Sequence, residues 1–331
     1  MTDGRRGYGD WNNNTDTAGH PDGRTAVVPL DVSTMTWGPI FFTGSEANDV
    51  IRKGPDGSLY LPTTDPSGKA ATGATRTGRS GYVTDQGGAW RFVDDGTGQI
   101  HTFDVALNGS DIHTFNSRRV LTSTDGGKSF AESLTTRPEN TTDWTRFYWG
   151  VAAGGKVYTS AHHTAGLYQQ TEVLSRGSWS SIRESRIGSL FPNRTVEFKD
   201  NIVSGSTTIS SFSGSKLATY VDGFSRSDPA TGFTVNVLDF YVDDQSGHLY
   251  VLYSDGLIKR TSDVKSFEVI GNAGPGFHSI AVRDSVIYLG GDRGSVWRSD
   301  VAVDQLKPGT VTDAAPTKGN GKGKANGKRS R

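Results

Sequence analysis

The sequence predicts an all-β protein built as a six-bladed β-propeller, and three observations lead to that expectation. First, a hydroxyl residue followed by aspartate recurs along the chain, often with an aromatic beyond it. The clearest copy is Ser123-Thr124-Asp125-Gly126-Gly127-Lys128-Ser129-Phe130. Others are Thr84-Asp85-Gln86-Gly87-Gly88-Ala89-Trp90, Ser227-Asp228 with Phe233, Ser262-Asp263 with Phe267, and Ser299-Asp300. A sixth place, Ser175-Arg176-Gly177-Ser178-Trp179, keeps the glycine and the aromatic but lacks the acid. Positions 85, 125, 176, 228, 263 and 300 are separated by 40, 51, 52, 35 and 37 residues, the spacing of stacked or radial repeat units. Second, a turn residue leading into a short apolar strand runs in phase with the aspartates. Gly57-Ser58-Leu59-Tyr60, Gly155-Lys156-Val157-Tyr158, Gly247-His248-Leu249-Tyr250 and Ser285-Val286-Ile287-Tyr288 show it plainly. Ser110-Asp111-Ile112-His113 and Asp200-Asn201-Ile202-Val203 are weaker copies. Third, the runs between these markers are short, apolar and β-branched, bounded by Gly, Asp, Asn and Ser, and no amphipathic helical stretch of useful length occurs. A seventh unit within the first 50 residues is compatible with the same spacing.

Each unit of about 45 residues has room for four short strands, which is one propeller blade. In the fifth unit the expected strands are 237–242, 248–253, 257–261 and 267–270. The last unit has little sequence left after Asp300. Thr25 to Leu30 is therefore expected to supply or extend its missing strand, with Pro29 at an outer edge where no ladder donor is needed.

The string Ser123-x-Asp125-x-Gly127-x-x-Phe130 resembles the Asp-box (BNR) motif of sialidase-like β-propellers. The resemblance covers roughly residues 45–303, with one complete copy and several partial ones. It implies a turn between the third and fourth strands of each blade. There the aspartate and hydroxyl bond backbone groups, the glycine supplies a conformation other residues resist, and the aromatic packs between strands. On this reading Ser123, Asp125, Gly127, Phe130, Asp85, Gly87, Trp90, Asp228, Asp263 and Asp300 are structural turn residues. They are not catalytic acids or calcium ligands.

Composition sets further bounds. The chain has 331 residues, no cysteine, and 35 basic against 35 acidic residues. Disulfide and thiolate chemistry are thereby excluded. No apolar run approaches the roughly 20 residues of a membrane span, so no membrane insertion is expected. The first 20 residues lack the apolar core of a signal peptide. Seven Lys or Arg and one acid lie in 307–331, which leaves a formal charge of −6 on the rest. The expected organisation is a polar N-terminal segment at 1–24 containing Tyr8 and Trp11, a propeller at 25–306, and a disordered basic tail at 307–331. The tail suits contact with a partner protein or an acidic polymer, or simple solubilisation. The body has no basic stripe interleaved with aromatics, so nucleic-acid binding is not expected as the main function.

An enzyme is less expected than a binding protein. Sialidase chemistry needs three arginines clamping a carboxylate, a tyrosine nucleophile with a glutamate base, and an acid. The Phe/Tyr-Arg-Ile-Pro signature of that family is absent, and only seven glutamates occur. Arg118, Arg119, Arg146, Arg194 and Arg283 have no spacing that brings them together. His162 and His163 are adjacent, so on a strand they face opposite sides and cannot share a metal. No metal and no cofactor are expected. No Gly-x-Ser-x-Gly elbow and no phosphate-binding loop before a helix is present.

One segment stands out. Asp143 to Trp149 reads as the innermost strand of the third blade, with Trp144, Arg146 and Tyr148 on one face and Thr145, Phe147 and Trp149 on the other. An arginine between two aromatics suits a sugar or carboxylate by stacking and a bidentate fork. Packing between blades is the alternative role for these residues. The neighbouring innermost strands place Arg194, Asp239 and His278 near their starts, where they would surround the axis. Trp144, Arg146, Tyr148, Arg194, Asp239 and His278 are therefore the candidate ligand-binding residues. The expected function is non-enzymatic recognition or display of a glycan or protein surface, in a phage-tail, other virion-associated or extracellular setting. A structural assembly platform and a sialidase-like glycoside hydrolase are the alternatives.

Overall fold

The fold comes from a computed structural model. It describes residues 26–39, 41–42, 50–63, 80–96, 101–116, 118–135, 146–162, 169–182, 194–205, 208–213, 216–223, 235–291, 295–300 and 302–305. The first strands are short: β1 (Ala26–Val27), β2 (Leu30–Asp31), β3 (Thr36–Trp37) and β4 (Phe41–Phe42). Here β1 pairs with β4 and β2 with β3.

Six antiparallel sheets follow, each in simple sequence order. Unit 1 is β5 (Arg52–Lys53), β6 (Leu59–Pro62), β7 (Gly81–Thr84) and β8 (Arg91–Asp94). Unit 2 is β9 (Asp104–Asn108), β10 (Asp111–Asn116), β11 (Arg119–Ser123) and β12 (Ala131–Thr135). Unit 3 is β13 (Arg146–Ala153), β14 (Lys156–His162), β15 (Gln169–Ser175) and β16 (Ser178–Ile182). Unit 4 is β17 (Thr195–Phe198), β18 (Asn201–Gly205), β19 (Thr208–Ser213) and β20 (Lys216–Gly223). Unit 5 is β21 (Val237–Asp243), β22 (His248–Tyr253), β23 (Leu257–Thr261) and β24 (Glu268–Asn272). Unit 6 is β25 (Phe277–Arg283), β26 (Val286–Gly291) and β27 (Val296–Arg298). All six turn-to-apolar markers in the sequence fall at the second strand of a unit.

The units pack face to face in chain order. Tyr60, Tyr82 and Val93 of unit 1 meet Val105 and Ile112 of unit 2. Ala106, Phe115 and Val120 of unit 2 meet Phe147 and Val157 of unit 3. Unit 3 meets Ile202 of unit 4 through Trp149 and Tyr158. Phe198 and Val203 meet Val237 and Phe240, and Ile258 and Ile270 meet Ile280 and Leu289. The second strand of unit 5 shows why this works. Leu249, Val251 and Tyr253 point toward unit 4 while Tyr250 and Leu252 point toward unit 6. A strand that alternates between two buried faces needs apolar residues at every position, and the sequence 249–253 supplies them. Four-stranded meanders stacked face to face are the propeller-type arrangement.

Two expectations, on the 26–27 strand and on Asp228, need correction. The 26–27 strand pairs with Phe41–Phe42 and not with the last unit. Its partner strand carries Phe41, stacked on Trp90 of unit 1 at 5.6 Å, so the hairpin is held beside unit 1. Unit 6 has three strands among the described residues, and Val303 packs under them with its N–H bonded to the Ser285 carbonyl. The innermost strand of unit 3 is described from Arg146 onward, and Asp143, Trp144 and Thr145 of the expected strand lie outside the described residues. In unit 4 the link between third and fourth strands falls between Ser213 and Lys216. Asp228, expected on that link, lies downstream of it and outside the described residues.

Candidate functional site

Asp85, Asp125 and Asp263 sit where the third and fourth strands of their units are joined. Asp125 lies between β11 and β12. Its Oδ1 accepts N–H bonds from Lys128 and Ser129 at 3.0 Å each, and its Oδ2 accepts the Ser129 hydroxyl at 2.6 Å. The Ser123 hydroxyl donates to Asp125 Oδ1 at 2.8 Å and accepts the Gly127 N–H at 2.8 Å. These bonds, Ser129 foremost, hold the Asp125 carboxyl far below its ordinary value. Gly127 has φ +86, and a Cβ there would lie 2.5 Å from the Tyr82 hydroxyl. Phe130 meets Tyr82 edge-on, tying the turn of unit 2 to unit 1. Asp263 repeats the pattern with Lys265 and Ser266. Asp85 instead accepts the Leu59 N–H at 2.7 Å, and Gly87 follows at φ +86. Arg176 and Gly177 both take positive φ in the β15–β16 turn, so that link keeps its bend without an acid. At Asp300 the neighbouring Ser299 does the bonding, accepting the Ile287 N–H.

A second set of aspartates lies on the innermost strands. Counting back four residues from the last paired residue of β9, β13, β17, β21 and β25 gives Asp104, Trp149, Arg194, Asp239 and Ser279. The first four are 45 residues apart in each step. His278, expected at this layer, is one residue out of it, exposed in an irregularity between Phe277 and Ser279. The aspartates at this layer clasp the next unit. Asp104 accepts the Gly150 N–H at 2.9 Å and its own Val105 N–H at 2.8 Å. Asp239 accepts the Ile280 N–H at 2.9 Å and its own Phe240 N–H at 2.9 Å. Asp239, a candidate ligand residue, thus has both carboxylate oxygens engaged by backbone. Asp104 is fully buried, which raises its carboxyl, against the opposing pull of Arg52. Arg52 reaches it with two bonds of 2.8 and 2.6 Å.

Two of the candidate ligand residues do come together. Arg146 and Tyr148 are half-buried on one face of β13, while Phe147 and Trp149 on the other face are buried. Across from them stand His101 and Phe103, leading into β9. Tyr148 lies 4.8 Å from the Phe103 ring, His101 stacks on Phe103 at 5.6 Å, and the Arg146 guanidinium is 5.8 Å from the Phe103 centroid. Burial and the nearby Arg146 charge push His101 down to about 4. The result is a cation, a phenol and two stacked rings at the start of adjacent innermost strands. Trp144 lies outside the described residues. Phe103 and His101 were not singled out by sequence reading, although the alternation His101, Phe103 in front of a strand is the signal that marks them. Of the other arginines, Arg119 pairs with Glu132 on outer strands and Arg283 with Asp284 at a hairpin end. Among the described residues no three His, Cys, Asp or Glu side chains are placed to hold a metal ion.

No family model matches the chain, and no curated protein matches it in sequence. Among solved structures, it is similar to the extracellular domain of BT4673 from B. thetaiotaomicron in two determinations. Both show 12% identity over 77% of this chain, with TM-scores of 0.46 and 0.47. The chain covers 39% and 38% of those two chains, well under half their length. A chain of the nidogen/laminin complex is similar at 12% identity and TM-score 0.40, over 87% of this chain and 89% of that one. Superpositions this loose leave the fold to rest on the strand order and face-to-face packing of the chain itself, which are those of a β-propeller.

Proposed function

We propose that this is a non-enzymatic recognition propeller whose six units form a closed, sialidase-like ring of the Asp-box type. Contacts across the arc support closure. Arg52 of unit 1 donates to the Thr195 carbonyl of unit 4 at 3.1 Å, and Lys53 lies 3.9 Å from Asp244 of unit 5. The single observation behind a binding role is the His101–Phe103–Arg146–Tyr148 cluster. A partly exposed guanidinium beside aromatic faces suits a sugar ring or a carboxylate, carried by a glycan or an acidic protein surface. The setting we propose is a phage tail, another virion-associated particle or a cell surface, where a rigid ring displays variable loops. The test is binding of the full-length chain to an array of neutral and carboxylated glycans, compared with Arg146→Ala and Tyr148→Ala. The basic tail is present in all three proteins, so its contribution cancels. Selective binding weakened about tenfold or more in both variants supports the reading, and binding unchanged in both removes it.

A second reading, an assembly platform, is favoured by one specific observation. Trp37 and Phe92 are large apolar residues that are 48% and 38% exposed, on the N-terminal hairpin and on the outermost strand of unit 1.

A further inference from the structure

Units 1 to 4 follow one another by face-to-face packing, so their innermost strands line the concave side of an arc. The Arg52 side chain runs across that concave side. It forks onto Asp104 of unit 2 through Nε and Nη2 and reaches the Thr195 carbonyl of unit 4 through Nη1. Asp104 in turn accepts the Gly150 N–H of unit 3. Gly150 and Thr195 each stand one residue after the Asp104 layer of their own strands. One ion pair therefore touches the innermost strands of four successive units at a single level. Its members are deeply placed, with Arg52 side-chain exposure of 15% and none at Asp104.

We infer that the Arg52–Asp104 pair is an axial plug: it closes the space between the innermost strands at this level and ties units 1 to 4 into one block. The His101–Phe103–Arg146–Tyr148 cluster lies on the strand-start side of the plug. A solute reaching the cluster therefore enters and leaves by that face and does not traverse the axis. The plug itself is independent of whether the cluster binds a ligand. The pairing is also directional, because a planar fork serves Asp104 with two donors and still leaves Nη1 for Thr195. A lysine offers a point charge with no planar fork to match both carboxylate oxygens.

Hydrogen exchange of the full chain tests this. In Arg52→Met, segments covering β5, β9, β13 and β17, with the Gly150 amide foremost, should exchange about tenfold or more faster, while β22, β23 and β26 stay within about twofold. Because Arg52→Met leaves a charge buried, the double variant Arg52→Met/Asp104→Asn provides the same measurement with no buried unpaired charge. The same local pattern in the double variant supports the plug. Uniform acceleration across all six units, or none in units 1 to 4, overturns it, and neither result bears on ligand binding at the cluster.

Discussion

His113 makes the stability of unit 2 depend on pH in a way that can be calculated. It sits on β10 with no exposed surface. The Ser133 hydroxyl donates to the Val120 carbonyl at 3.2 Å, and the Thr122 hydroxyl donates to Ser133 at 2.9 Å. Thr122 must therefore accept from His113, whose Nδ1 lies 2.9 Å away. This chain fixes the proton on Nδ1. Nε2 is left as a buried lone pair with no hydrogen-bond partner, so protonating it creates a buried charge with nothing to accept its proton. Burial accordingly pushes His113 down to about 4, with Asp111 pulling weakly the other way. Above the ordinary value near 6.5, both folded and unfolded chains hold a neutral ring and nothing is lost. As pH falls below 6.5 the unfolded chain takes up a proton that the folded chain refuses, and stability drops until the folded ring also protonates near 4. At about 1.4 kcal/mol per pH unit, the fall from 6.5 to 4.5 removes about 2 to 3 kcal/mol. Urea unfolding at pH 7 and pH 4.5 should show His113→Gln losing less stability than the wild type by that amount, with His101 contributing equally to both. Equal losses in the two proteins would refute the assignment of a neutral, buried His113.

Other perturbations follow from the same geometry. Gly150→Ala would put a Cβ 1.8 Å from the buried Phe115 ring, and such overpacking should cost about 1 to 3 kcal/mol in urea unfolding. Asp239→Ala leaves the Phe240 and Ile280 N–H groups without their acceptor, and a loss of about 2 to 4 kcal/mol is expected. Asp239→Asn, which keeps one acceptor, should lose less in the same measurement. Asp125→Ala should speed exchange of the Lys128 and Ser129 amides that its carboxylate holds. Because the folded Asp125 carboxyl is depressed, the wild-type turn should keep its protection above the ordinary carboxylate range and lose it only as pH falls through the lower folded value. Protection at Ser129 that is unchanged by the substitution would rule out the carboxylate as its source.

The two kinds of aspartate show what could be read in the sequence and what could not. The turn acids are legible because their partners are local. Asp125 bonds groups three and four residues away, so hydroxyl, acid, glycine and aromatic occur together in one short string that repeats. The second strands are legible for a related reason: a strand buried on both faces writes continuous apolar residues into the sequence. The innermost acids are different. Asp104 is bonded to Arg52 and to Gly150, 52 and 46 residues away, and Asp239 to Ile280, 41 residues away. Nothing beside Asp104 in the chain announces these partners. The signal that does exist is the 45-residue spacing of Asp104, Trp149, Arg194 and Asp239, and it joins four chemically unlike residues, so a search for repeated residue types passes over it. The same physics explains the His101–Phe103–Arg146–Tyr148 cluster. Alternation correctly puts Arg146 and Tyr148 on one face, but His101 and Phe103 belong to the previous unit and join them only when two innermost strands lie side by side. A residue that works within its own turn leaves a motif, and a residue that works between units leaves only a register. In this chain the acids that hold turns declare themselves, whereas the acid that closes the axis is found only once the strands are aligned.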